Sequence, residues 1–258
     1  MRSSVDFANW HQELSSGLGH DATIPWTEPC RLSPGRQRAV ANLAARAAWL
    51  TDVGANWYER LLHQATDPDE GALLALISQT QRTHAHILQR LAVRLGGAEP
   101  VSLPPTALPM PPGLSPVEVM AAVHAADLLA RVGIQGIVDA VQDDPLVRSV
   151  FAMLLYERQS LAAYSRDLLA RAGRDGGWRR RQAKAINETM LPVLLTAGWL
   201  SMGQDLQTLT GWTWRQTVTR YLAAYERTFS GDLGYLGQRR TLRVLGWLAS
   251  WGPPGGTA

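Results

Sequence analysis

Four stretches of the chain repeat apolar residues at alternating spacings of three and four, the period of a helix that buries one face. The clearest runs from Glu70 to Leu95, where Leu74, Ile77, Leu88, Leu91 and Leu95 share a seam with Gln81 and His84. Two polar residues thus interrupt the seam at its centre, in the run Gln81-Arg-Thr-His84. A buried amide or imidazole left without a partner costs about 1–3 kcal/mol, so side chains from other helices are expected to face them. Strand-like alternation is nearly absent, and Ala, Leu, Arg and Gln are abundant. Both features predict an all-α protein.

Helix boundaries are marked by proline and glycine. Ser33-Pro34, Asp67-Pro68, Ser115-Pro116 and Asp144-Pro145 each pair a capping oxygen with a proline at the first helical position. Proline is suited to that place because its missing amide hydrogen would be an orphan there. Glu70 and Glu118 supply the third-position carboxylate of a capping box. Gly96-Gly97 and Gly173 are the matching stop signals. The expected helices are 34–65, 68–95, 116–142 and 145–172. At 1.5 Å rise per residue the last three each span about 40 Å, which suits side-by-side packing.

Tight turns make the first and second helices, and the third and fourth, antiparallel hairpins. Between the hairpins lies Ala98 to Leu114, rich in proline and therefore stiff and extended. At 3.1 Å per residue it reaches about 50 Å, the length of the bundle. The expected fold is an antiparallel four-helix bundle with one long crossover plus additional C-terminal helices. The alternative is a linker between two independent hairpins. The domain division is an irregular arm over 1–33 with a short helix near Phe7 to Leu14, a bundle over 34–173, and a helical extension over 174–258 packed on it. That extension holds helical candidates over 185–202, interrupted by Pro192, and near 213–228 and 236–250.

Composition narrows the class of function only modestly. Of the 25 basic residues only Lys184 is a lysine, and the net charge is +3. Arginine enrichment suits phosphate or nucleic acid, but so small a net charge demands no polyanionic partner. No specific nucleic-acid partner is expected. Cys30 is the single cysteine and has no internal disulfide partner, which fits a reducing compartment. No run of 18 apolar residues and no signal-like segment occurs, so a cytoplasmic protein without a transmembrane helix is expected.

The other helices also carry isolated polar residues near mid-length. Thr51 stands in the first-helix run Ala47, Thr51, Gly54, Tyr58, Leu61. Asp127 is the lone charge of the third seam, and Glu157, with Ser160 one turn on, is that of the fourth. Mid-length residues of antiparallel helices meet at one height whichever way each helix points. The spacing therefore predicts a buried polar layer of Thr51, Gln81, His84, Asp127, Glu157 and Ser160, with Tyr58 beside it.

This arrangement resembles the ferritin-like superfamily, which includes rubrerythrins and bacterioferritins. There the first and third helices each give a Glu, the second and fourth each give Glu-x-x-His, and together they ligate two metal ions. Asn56-Trp-Tyr58 after Thr51 is similar to the first-helix pattern. Gln81-Arg-Thr-His84-Ala85 running to Leu95-Gly-Gly97 resembles Glu-x-x-His-Ala running to Leu-Gly-Gly, and Glu157-Arg-Gln-Ser160 stands where the second Glu-x-x-His belongs. The likeness covers residues 34–173. It also departs from the pattern: Thr51 and Gln81 replace two carboxylates, Asp127 shortens a third and Ser160 replaces a histidine. Two divalent ions need several carboxylates to balance their charge, and this set has too few.

The resemblance therefore implies a degenerate di-iron site and a binding or structural role, with a homodimer as the candidate assembly. The alternative is a metal-dependent oxidoreductase holding one iron or manganese ion with His84, Asp127 and Glu157. A second alternative is a membrane- or nucleic-acid-surface module using the Arg/Trp-rich C-terminal region. Among other candidates, His86 falls off the seam and is expected at the surface. His124 either extends the layer or lies on the surface. Glu59 is expected to be an exposed charge, unless helix rotation makes it the missing carboxylate. Arg179-Arg-Arg181 is expected as a solvated helix start, and Cys30 has no His/Asp arrangement that would activate it.

Overall fold

The computed structural model describes residues 24–97, 114–175 and 177–236, together with Phe7, Trp10 to Gln12, Ser15, Arg243, Val244, Gly246, Trp247 and Ser250. The proline-rich crossover and most of the expected 236–250 helix lie outside the described residues. So do the side chains of Ser160, Asp175 and Asp232. No strand occurs among the described residues. The principal helices are α1 (Pro34–Leu62), α2 (Pro68–Arg94), α3 (Pro116–Ala140), α4 (Pro145–Asp175), α5 (Gly177–Thr210) and α6 (Trp214–Thr228), followed by a 3-10 turn at Gly231–Leu233. Four of them start at the prolines that the sequence marks.

The caps show why. The Asp67 carboxylate accepts from the amides of Asp69 and Glu70, at 2.8 and 3.4 Å. At α3 the capping box closes in both directions, with Ser115 N–H and Oγ donating to Glu118 and the Glu118 amide donating to Ser115 Oγ. Asp144 takes the Val147 amide at 2.9 Å. Ser33 differs, because its side chain makes no capping bond and only its carbonyl serves the helix. Gly96, at φ +78°, closes α2: Gly97 N–H reaches the Ala92 carbonyl and Gly96 N–H that of Val93. This is the pair of bonds that satisfies the last carbonyls of a helix.

Two expected interruptions are overturned. Gly173 does not stop α4, which runs on to Asp175. A Cβ there would stand 2.5 Å from the Tyr235 ring, whose hydroxyl donates to the Leu169 carbonyl. The residue is glycine for packing and not for a stop. Pro192 does not interrupt the helix either, since α5 continues through it for 34 residues. An internal proline costs about 3 kcal/mol, a local penalty that tertiary packing can offset. Helix α3 packs along α5.

The chain divides into two compact units, one of 1–114 with 141–164 and one of 115–140 with 165–258. The boundaries fall at 114/115, at the end of the proline-rich stretch, at 140/141 and at 164/165 inside α4, so all three cross the expected 34–173 bundle. In the first unit α1 and α2 form an antiparallel hairpin. Its register is fixed by Gln37 reaching the Leu95 carbonyl and Ser78 Oγ the Ala55 carbonyl. Every position of the α2 seam is buried. The arm is tied to α4 by the Arg31 amide, which donates to Asp144 at 2.7 Å. In the second unit α3 packs on α5 and α6. Gly136 makes room for the Trp212 ring, which would stand 2.2 Å from a Cβ, and the Tyr221 hydroxyl donates to the Leu129 carbonyl.

Candidate functional site

The α1–α2 register sets Thr51 level with Gln81 and Arg82. All the expected polar positions of the first unit whose side chains are described are buried, namely Thr51, Tyr58, Gln81, His84 and Glu157. His84 Nε2 hydrogen-bonds the Glu157 carboxylate directly, joining α2 to α4. His84 is 1% and Glu157 7% exposed, so the pair is withdrawn from water. With Nε2 committed to the carboxylate, Nδ1 faces inward, buried and without a hydrogen-bond partner among the described residues.

Arg158, the residue after Glu157, crosses to α1 and donates to Thr51 Oγ1 at 3.3 Å. A guanidinium thus contacts Thr51, one of the expected polar-layer positions. Sequence reasoning missed Arg158, although a cation following a seam carboxylate is a readable signal. It also missed Arg82, which lies over the outside of the hairpin. Arg82 bonds Asp52, Asn56 and Glu59 of α1 at 3.1, 3.0 and 2.7 Å. Those carboxylates hold its guanidinium above its usual range, chiefly through the Glu59 hydrogen bond. Glu59 therefore sits at the surface paired with Arg82, and His86 is exposed, as expected.

Asp127 belongs to the second unit, where Arg131 Nε lies 3.1 Å from its Oδ2. One turn earlier, His124 corrects the surface reading: it is 1% exposed. Its Nδ1 lies 2.7 Å from Ser165 Oγ, and its ring meets Phe229 edge-on at 5.8 Å. Burial, with the Arg131 and Arg166 charges adding to it, holds its imidazole down at about 3. Such a group is neutral near pH 7 and a poor proton acceptor. Cys30 is half-buried, and burial raises its thiol with the nearby Asp144 carboxylate adding to the rise, which disfavours the thiolate.

Among the described residues no group of three His, Cys, Asp or Glu side chains is placed to hold a metal ion. No described helix is long and apolar enough to cross a membrane. Arg179 to Arg181 are exposed in the first turn of α5. The chain matches no protein-family model, curated protein or solved structure in comparison with each.

Proposed function

We propose that this is a ferritin-like four-helix protein whose di-metal carboxylate site has decayed into a hydrogen-bonded layer, and that it serves a binding or structural role. The observation that supports this reading is the direct His84–Glu157 bond, made beside Gln81 and Thr51 where carboxylates would be needed. An amide at a carboxylate's position keeps the hydrogen bonds and discards the charge. Arg158 adds a fixed cation to the same layer, and a guanidinium opposes the entry of a divalent ion. What remains can hold helix register without any chemistry, a use attested for buried polar groups in other helical assemblies.

Metal analysis of protein purified without a histidine tag tests it. The expected outcome is no stoichiometric iron or manganese, and no change in metal content in a His84→Ala, Glu157→Ala double variant. Stoichiometric metal that disappears in that variant would sink the decayed-site reading in favour of an oxidoreductase using His84 and Glu157.

A further inference from the structure

His84 leaves one polar atom of the buried layer unanswered. A carboxylate only accepts, so Nε2 donates to Glu157 and, in the neutral ring, Nδ1 is left as an acceptor. That nitrogen is buried without a hydrogen-bond partner among the described residues, in a side chain 1% exposed. An unpaired buried acceptor carries a desolvation penalty, which a ligand donating to it would remove.

The side chains at the same height offer donors. Thr51 lies level with Gln81 across the α1–α2 hairpin, and Gln81 stands one turn before His84 on α2. Thr51 Oγ1 accepts from Arg158 at 3.3 Å, which leaves its own hydrogen to donate. The buried Gln81 amide carries two further N–H bonds. Threonine, glutamine and histidine can each serve a cation or an anion, but a guanidinium only donates and is always charged. Arg158 therefore decides the sign of what is taken. Its planar fork matches a planar oxyanion. The imidazole ring stands between Nδ1 and the Glu157 carboxylate, which is bound at the other nitrogen.

Room lies at Gly54. It falls one turn after Thr51 and one before Tyr58 in the same α1 run, and both of those residues are buried. A Cβ at Gly54 would meet no atom within 4 Å, and the residue itself is half-buried. Open space thus borders the layer and reaches the surface. Glycine inside a helix costs stability relative to alanine, and no close neighbour requires one here, unlike at Gly136.

We infer that the first unit binds a small oxyanion carrying an O–H group, such as bicarbonate, among Thr51, Gly54, Gln81, His84 and Arg158. The anionic oxygens take N–H groups of Arg158 and Gln81 and the Thr51 hydroxyl, and the ligand O–H donates to His84 Nδ1. This site gives the binding role proposed above its ligand, and it rests on that reading, in which no metal occupies the layer.

Isothermal titration calorimetry of the full chain, dialysed against EDTA, tests it with bicarbonate, glycolate, nitrate and acetate as probes. Bicarbonate or glycolate is expected to bind, with nitrate and acetate, which lack the O–H, about 10-fold or more weaker. Arg158→Gln keeps a donor towards Thr51 but drops the charge, and should weaken binding about 10-fold or more. Gly54→Leu fills the space and should abolish binding, with helical circular dichroism unchanged and the urea midpoint no lower than native. Undiminished binding in either variant, or nitrate and acetate binding as tightly as the hydroxylated anions, overturns the site. So does metal-free protein that binds neither bicarbonate nor glycolate, a result that leaves the decayed-site reading standing. Stoichiometric metal in the protein as purified, lost in the His84→Ala, Glu157→Ala double variant, overturns both.

Discussion

His84 and Glu157 show how a buried ionisable pair is weighed. Removing one partner leaves the other buried and uncompensated, which costs about 3–5 kcal/mol. Replacing both by apolar residues of similar size is commonly neutral or stabilising by about 1–4 kcal/mol. His84→Ala is therefore expected to lower the urea midpoint sharply, while His84→Leu with Glu157→Leu restores or exceeds the native value. A double variant as unstable as the single one would show that the pair is not the source of the loss. His124 makes a pH prediction. Its imidazole is held at about 3 against an ordinary 6.5, so between those values the unfolded chain binds a proton that the folded chain does not. Stability from this group is complete above pH 6.5 and is lost as pH falls towards 3. The slope is about 1.4 kcal/mol per pH unit. Urea unfolding across that range should show the native chain losing stability relative to His124→Gln.

Helix ends that look alike in sequence differ in structure. Ser33-Pro34 and Asp67-Pro68 carry the same signal, yet only Asp67 bonds amides with its side chain. Asp67→Ala is expected to cost about 1 kcal/mol, as cap removal usually does. Ser33→Ala should cost almost nothing by the same thermal or urea measurement. Glycines divide similarly. Gly96→Ala meets no neighbour but must adopt φ +78°, a strain of about 1–2 kcal/mol. Gly136→Ala, by contrast, drives a Cβ into Trp212, and its cost should fall when Trp212 is shortened to Leu. Gly96 was legible as a stop from its place after the last seam residue. Gly173 carried the same sequence signal and meant something else, because the Tyr235 ring that requires it lies 62 residues away in the chain.

At the scale of the molecule, neither unit is one continuous segment. The first borrows 141–164, with Glu157 and Arg158, from beyond α3. Residues 1–114 alone keep the α1–α2 hairpin but lose what faces its seam. They are expected to show no cooperative unfolding transition by circular dichroism, and one as sharp as that of the full chain would contradict this account. The starts of four helices, the buried seam of α2 and the polarity of Gln81, His84 and Glu157 within their seams were determined by the sequence alone. Each depends on capping chemistry or periodicity within a few turns, and local spacing suffices to specify it. The passage of α5 through Pro192, the burial of His124 beside Ser165 and Phe229, the reach of Arg158 to Thr51 and the division across α4 were decided only by tertiary structure. They depend on partners dozens of residues distant, and no local pattern encodes which distant side chain will outweigh a local preference.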